Sequence, residues 1–177
     1  MIKLLEVGTS SLLDVAYDKS ELSIDKVVHS RIPEHFNSLY NDKSLSDLRC
    51  KYDAVIYSRS ILTGTIDEVL RVNYYGVVES INQCIELSDT HIIVGSVCGL
   101  LGNTYPTKVP YWASKQLMNE YVTKELPKLY PDKKFAYIPM PAFQSSMTKN
   151  SSGFDEYMSL SDANKLILND IKGSIKD

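Results

Sequence analysis

Short apolar runs alternate with longer amphipathic segments along most of this chain. The short runs are rich in β-branched and aromatic residues, whereas apolar residues in the longer segments recur every three or four positions. The runs predict strands at 2–7, 26–30, 53–58, 91–94 and 135–140, with a weaker extended segment at 35–40. The amphipathic segments predict helices at 10–22, 65–87, 110–129 and 161–171, with Ser161 as the N-cap of the last helix.

This alternation predicts βαβ units, in which neighbouring strands are parallel and helices cover both faces of the sheet. The expected fold class is therefore α/β, a three-layer doubly wound parallel sheet of about six strands. No internal repeat, low-complexity tract or linker interrupts the 177 residues, and a chain of this length can bury a sizeable core. We expect a single domain over residues 1–177.

Candidate chemistry is concentrated in residues 95–115. Ser96 follows the predicted strand 91–94, and Tyr111 and Lys115 lie four positions apart on the next predicted helix. Residues at this spacing share a helix face, so the Lys115 ammonium can lie beside the Tyr111 phenol. A neighbouring cation favours the phenolate and lowers the pKa of a tyrosine, which suits the pair to proton transfer near neutral pH.

These motifs resemble those of the short-chain dehydrogenase/reductase family. The segment from Gly95 to Asn103, followed by Tyr111-Trp112-Ala113-Ser114-Lys115, nearly reproduces the GSVxGxxGN…YxAxK pattern of its β-ketoacyl carrier-protein reductases. The resemblance implies a Rossmann-like fold with strand order 3-2-1-4-5-6. It also implies a catalytic tetrad of Asn73, Ser96, Tyr111 and Lys115.

In that family the tyrosine exchanges a proton with the substrate oxygen, which the serine orients. The lysine lowers the tyrosine pKa and holds the nicotinamide ribose, and the asparagine supports a proton-relaying water. Each residue also has a plain structural interpretation when taken alone, as a turn serine, a helix-interior asparagine or a solvated helix face. The four in this order favour the family interpretation.

The resemblance also implies a dinucleotide site, with NADP or NAD as the cofactor. The expected contacts are Gly8, Ser10, Ser11, Arg31, Asp42, Ser58, Lys115 and Ser145. Arg31 favours NADP, because a guanidinium suits the 2′-phosphate, whereas Arg31 and Asp42 as solvated and turn residues are equally good interpretations. The family's glycine-rich turn is degenerate here: of its three glycines only Gly8 is kept, and Leu12 and Asp14 replace the others.

Composition narrows the function further. A net charge of −3 without a basic run gives no support for nucleic-acid binding. The start of the chain lacks a signal-peptide pattern and no apolar run reaches 18 residues, so we expect a cytoplasmic protein that does not enter membranes. Three cysteines and three histidines at wide spacings indicate neither a disulfide framework nor a metal site.

The sequence therefore predicts a small NAD(P)(H)-dependent oxidoreductase that interconverts a small-molecule carbonyl compound and an alcohol. The alternative is a cofactor-free pseudoenzyme that serves as an assembly or regulatory partner, which the altered glycine turn favours. A third possibility is cofactor-independent acid/base chemistry. We also expect a homodimer or homotetramer, through outer faces of helices 65–87 and 110–129 that include Tyr74, Val78, Ile81, Trp112, Leu117 and Tyr121. The substrate, the pathway and the choice between NADP and NAD stay open.

Overall fold

A computed structural model describes residues 1–8, 21–27, 48, 51–101, 108–144, 148–150 and 153–176. Within these residues the strands are β1 (Ile2–Val7), β2 (Leu22–Val27), β3 (Ala54–Tyr57), β4 (Thr90–Val94) and β5 (Lys134–Ile138). They form one five-stranded sheet in the order β2-β1-β3-β4-β5, and every pairing is parallel. The α/β fold class is confirmed, and the order of the described strands matches 2-1-4-5-6 of the expected order; the extended segment at 35–40, which would precede β3, lies outside the described residues.

Two long helices pack on one face of the sheet. Helix α1 spans 66–87 and consists of Ile66–Leu70, a π-helical turn Arg71–Tyr75, Gly76–Cys84 and a 3-10 turn Ile85–Leu87. Helix α2 is the short Cys98–Leu101. Helix α3 spans 109–129 and consists of Val109–Glu120, a second π-helical turn Tyr121–Glu125 and Leu126–Leu129. Helix α4 is Leu160–Lys176, and a 3-10 turn Phe154–Glu156 precedes it.

The central strands β1, β3 and β4 are buried on both faces, because successive side chains point to opposite sides of the sheet and helices cover both sides. The side chains of Leu5, Val55 and Ile93 lie on the face of the sheet that α1 and α3 cover. Leu4, Ile56 and Ile92 point the other way, toward Ile167 and other buried residues of α4. Helices on both faces make a three-layer arrangement in which the carboxyl ends of the parallel strands share one edge of the sheet.

Several predicted boundaries need correction. Strand β2 begins at Leu22 and ends at Val27, so the strand predicted at 26–30 was placed too late and the helix predicted at 10–22 does not reach Leu22. Most of that helix, and the extended segment at 35–40, lie outside the described residues. The side-chain oxygen of Ser159, not Ser161, accepts the backbone N–H of Asp162 at the start of α4.

One residue of the expected assembly surface is also misplaced. Ile81 is fully buried in the core between α1 and the sheet, so it cannot belong to an outer face of α1. Tyr74, Val78 and Tyr121 are partly buried and pack against the same core, whereas Leu117 is 45% exposed. The apolar outer surface of these helices is therefore smaller than the sequence predicted.

Candidate active site

Ser96 lies just beyond β4, at the carboxyl edge of the sheet. Hydrogen bonds from Gly95 N to Ile138 O (2.8 Å) and from Val97 N to Met140 O (3.0 Å) extend the pairing with β5 past the ends of both strands. The Ser96 hydroxyl oxygen accepts the backbone N–H of Cys98 at 3.3 Å, and the residue is buried. These contacts fix the serine at the place where ligands bind in open parallel sheets.

Tyr111 and Lys115 lie on the first half of α3, one turn apart. The Lys115 Nζ is 5.6 Å from the centroid of the Tyr111 ring, within the range of a cation–π contact. Lys115 is only 3% exposed. Burial lowers its pKa to about 8, against a smaller opposing effect of Cys98, because the charged ammonium loses its hydration. The site therefore holds a buried cation beside a phenol.

Asn73 lies in the π-helical turn of α1, a distortion that is often found at functional sites. Its side-chain oxygen accepts the N–H of Ile61 at 2.8 Å, and its amide group donates to Ile61 O at 2.9 Å and to the Ser114 hydroxyl at 3.1 Å. Ser114 in turn donates to the backbone oxygen of Tyr111 at 2.6 Å. The hydrogen bond to Ser114 therefore fixes Asn73 against α3, one residue before Lys115.

Tyr137 of β5 contacts both Ser96 and the turn of α3 that carries Lys115. Its hydroxyl oxygen accepts the Ser96 N–H at 3.0 Å and lies 3.2 Å from Ser96 O and 3.3 Å from Lys115 O. Neither Ser114 nor Tyr137 was singled out from the sequence. Ser114 stands inside the Tyr-x-x-x-Lys motif, but Tyr137 lies in a strand with no sequence motif that marks it.

Two of the predicted cofactor residues, Gly8 and Ser58, meet at the ends of β1 and β3. A Cβ on Gly8 would lie 2.5 Å from the Ser58 hydroxyl oxygen and 2.9 Å from Arg59 N, so only glycine fits here. The Ser58 hydroxyl donates to the buried Glu6 carboxylate at 2.7 Å. Glu6 was not predicted; its sequence position at the end of a buried strand is the only signal for it.

Lys115 lies on α3, and the other five predicted cofactor residues lie outside the described part of the chain. These are Ser10, Ser11, Arg31, Asp42 and Ser145, and the same holds for Leu12 and Asp14 of the altered turn. Among the described residues, no cluster of three histidine, cysteine, aspartate or glutamate side chains has the geometry to hold a metal ion. In that same part of the structure, no helix is both long and apolar enough to cross a bilayer.

The arrangement of the parallel sheet and its flanking helices is found in proteins of known structure. A short-chain dehydrogenase family protein from Francisella tularensis subsp. tularensis SCHU S4 matches with a TM-score of 0.71 and 11% identity, over 95% of this chain and 90% of that one. A short-chain dehydrogenase from Burkholderia cenocepacia J2315, in complex with NADP, matches with a TM-score of 0.71 and 12% identity, over 95% and 84% of the two chains.

A third match is a short-chain dehydrogenase from Escherichia coli CFT073, complexed with NADPH, with a TM-score of 0.70 and 13% identity over 94% and 89% of the two chains. No family model matches the sequence, and neither does any curated protein. At these identities the likeness establishes the fold. The chain has the Rossmann-like fold of the short-chain dehydrogenase/reductase family, as its motifs predict.

Proposed function

We propose that the protein is an NAD(P)(H)-dependent oxidoreductase that interconverts a carbonyl compound and an alcohol. The observation that carries this proposal is the buried Lys115 ammonium, which lies 5.6 Å from the centroid of the Tyr111 ring. Both residues lie on α3, and the Tyr137 hydroxyl links the backbone of this helix to Ser96. No acidic side chain forms an ion pair with Lys115 among the described residues. A buried cation without a counter-ion weakens a fold, so a role in binding or chemistry explains its presence best.

The residues fit a nicotinamide dinucleotide in two respects. Gly8 keeps one glycine of the family's phosphate-binding turn, and the Lys115 ammonium has donors to offer a ribose. NADP(H), when bound, supplies or accepts the hydride. In the reductive direction Tyr111 gives its phenolic proton to the oxygen of the new alcohol, Ser96 donates a hydrogen bond that orients this oxygen, and Lys115 favours the resulting phenolate.

A cofactor-free protein is the second candidate, and one contact favours it. The Ser58 hydroxyl, expected to face a cofactor, donates instead to the buried Glu6 carboxylate. The Glu6 carboxyl group therefore lies close to Gly8, where a pyrophosphate would approach. Together with Asp14 in the sequence, it gives a physical reason for weak or absent dinucleotide binding.

A thermal-shift measurement with NADPH, NADH and no nucleotide separates the two candidates. At a hundredfold excess over its dissociation constant, a ligand selective for the folded state adds about 2.7 kcal/mol. For a chain of this length that raises the melting temperature by roughly 5–11 °C. A shift of this size with either dinucleotide supports the oxidoreductase, whereas no shift with both at millimolar concentration supports the cofactor-free protein.

We further propose that the protein forms a homodimer or homotetramer through the outer faces of α1 and α3. Tyr75 is 58% exposed on α1 and Leu117 is 45% exposed on α3. Large apolar side chains on adjacent helices favour a two-fold contact between copies. Light scattering should show a dimer or tetramer at micromolar concentration, and Leu117→Glu should dissociate it; a monomeric wild type would contradict this proposal.

A further inference from the structure

The phenol of Tyr137 lies where the Ser96 strand end and the Lys115 turn of α3 approach each other. Its oxygen accepts one hydrogen bond, from Ser96 N–H, and its single hydrogen is shared between Ser96 O and Lys115 O. Burial raises the pKa of Tyr137 to about 12. The group therefore stays a neutral hydroxyl, able to donate and accept, over the whole range in which Lys115 titrates.

Two glycines make room for this ring. A Cβ on Gly95 would lie 2.0 Å from Tyr137 Cζ and 2.4 Å from its hydroxyl oxygen, and a Cβ on Gly99 would lie 2.2 Å from the same oxygen. Distances below 3 Å are not tolerated between non-bonded heavy atoms of these types. Both glycines lie close to Ser96 in the segment that carries the resemblance. Contact with Tyr137 explains the missing side chain at Gly95, and contact with Tyr137 and with Lys115 O (2.8 Å) explains it at Gly99.

We propose that Tyr137 is a positioning residue of the active site, which sets the separation between Ser96 and the Lys115 turn through its hydroxyl. This inference rests on the proposed oxidoreductase function, because the separation matters only if Ser96 and the Tyr111–Lys115 pair act on one substrate. Ser96 contributes both its N–H and its carbonyl to the contact, and Lys115 contributes its carbonyl. The link therefore runs between backbones and holds the side chains indirectly.

Tyr137→Phe removes the hydroxyl and keeps the ring. The buried Ser96 N–H then loses its acceptor, which favours entry of water between the strand end and α3. Since Lys115 has a low pKa because it is shielded from water, hydration of the gap raises that pKa toward 10.5. Tyr130→Phe is the matched control, because Tyr130 donates one exposed hydrogen bond to Asn82 at 3.2 Å, remote from the site.

The deciding experiment is an NMR titration of the Lys115 ammonium in cofactor-free protein with labelled lysine, with Lys115→Met used for assignment. We expect the Lys115 pKa in Tyr137→Phe to rise by about one unit or more, as hydration of a buried lysine requires. In Tyr130→Phe it should stay at the wild-type value. An unchanged Lys115 pKa in folded Tyr137→Phe overturns the positioning role.

A parallel titration with NADPH distinguishes this failure from failure of the proposed function. If the wild type binds NADPH, Tyr137→Phe should bind it about tenfold more weakly, since loss of one well-placed hydrogen bond from Lys115 to the dinucleotide is worth about 1.4 kcal/mol, a factor of ten. Tyr130→Phe should bind as the wild type does, and equal affinities in all three proteins again overturn the positioning role. If the wild type binds no dinucleotide while the Lys115 pKa still shifts, the link between backbones stands and the oxidoreductase proposal falls.

Discussion

Replacing Lys115 with methionine should stabilise the protein at neutral pH when no dinucleotide is present. Lys115 is 3% exposed, and at pH 7 most molecules carry its ammonium in the folded state, because burial lowers its pKa only to about 8. Methionine is unbranched and adaptable, so it fills similar space without a charge. The substitution therefore removes the cost of a buried ammonium, and the only favourable contact of the ammonium that it removes among the described residues is the long cation–π contact with the Tyr111 ring.

The magnitude follows from the difference in lysine pKa between the folded and unfolded chain. A pKa of about 8 in the folded state against 10.5 in the unfolded state, at about 1.4 kcal/mol per pKa unit, gives about 3 kcal/mol. This cost is fully present below pH 8, where both states are protonated. It falls between pH 8 and 10.5, where only the unfolded chain keeps its proton, and stability from this group rises with pH across that window.

Urea unfolding of both proteins between pH 7 and pH 10 measures this effect. Lys115→Met should exceed the wild type by about 3 kcal/mol at pH 7 and by about 1 kcal/mol at pH 10. The control is Lys124→Met on the same helix, because Lys124 is exposed and its ion pair with Glu120 contributes little. A Lys115→Met variant that is less stable than the wild type at pH 7 would contradict this prediction, since the Lys115 ammonium would then be stabilised by more than its contact with the Tyr111 ring.

Three further predictions follow from the described contacts. Gly95→Ala should lower the free energy of unfolding by about 1–3 kcal/mol, because the added methyl group overpacks against Tyr137. A double-mutant cycle in urea should show that most of this loss vanishes in the Tyr137→Ala background, whereas additive effects would contradict the contact. Burial lowers the pKa of His91 to about 4, so the unfolded chain takes up its proton first and stability should fall by up to about 3 kcal/mol as the pH drops from about 6.5 to 4. A His91→Gln variant whose urea midpoint changes with pH as steeply as that of the wild type would contradict this prediction. Tyr111→Phe should lose nearly all NADPH-dependent reduction of a panel of ketones and β-ketoacyl thioesters, while its free energy of unfolding stays within about 1 kcal/mol of the wild type. Retained turnover would mean that another group donates the proton.

The hydrophobic pattern located the central strands well because they are buried on both faces. β1 begins and ends where the sequence predicted, and β3, β4 and β5 differ from their predicted bounds by one or two residues. β2 was displaced because its Leu-Ser-Ile-Asp alternation is a weaker signal than a continuous apolar run. Similarly, Ile81 was assigned to an outer face because helical periodicity does not reveal which of two apolar stripes meets the sheet.

The candidate site was predictable where chemistry follows sequence spacing. The face shared by Tyr111 and Lys115 depends only on helix geometry, and the structure shows it. Tyr137 could not be found this way, because its hydrogen bonds join residues 22 and 41 positions distant in the chain. The same holds for the bond between Ser58 and Glu6, which requires β1 and β3 to be neighbours in the sheet.

Calorimetric titration of NADPH into the wild type and Lys115→Met tests the central proposal most directly. The wild type should bind one NADPH per chain, and Lys115→Met should bind it with an affinity at least about tenfold lower, equivalent to about 1.4 kcal/mol. The weaker binder should also be the more stable protein at pH 7, as expected of a residue retained for function at the expense of stability. Absence of binding by the wild type, or equal affinity in the two proteins, would contradict a role for Lys115 in a dinucleotide-dependent active site.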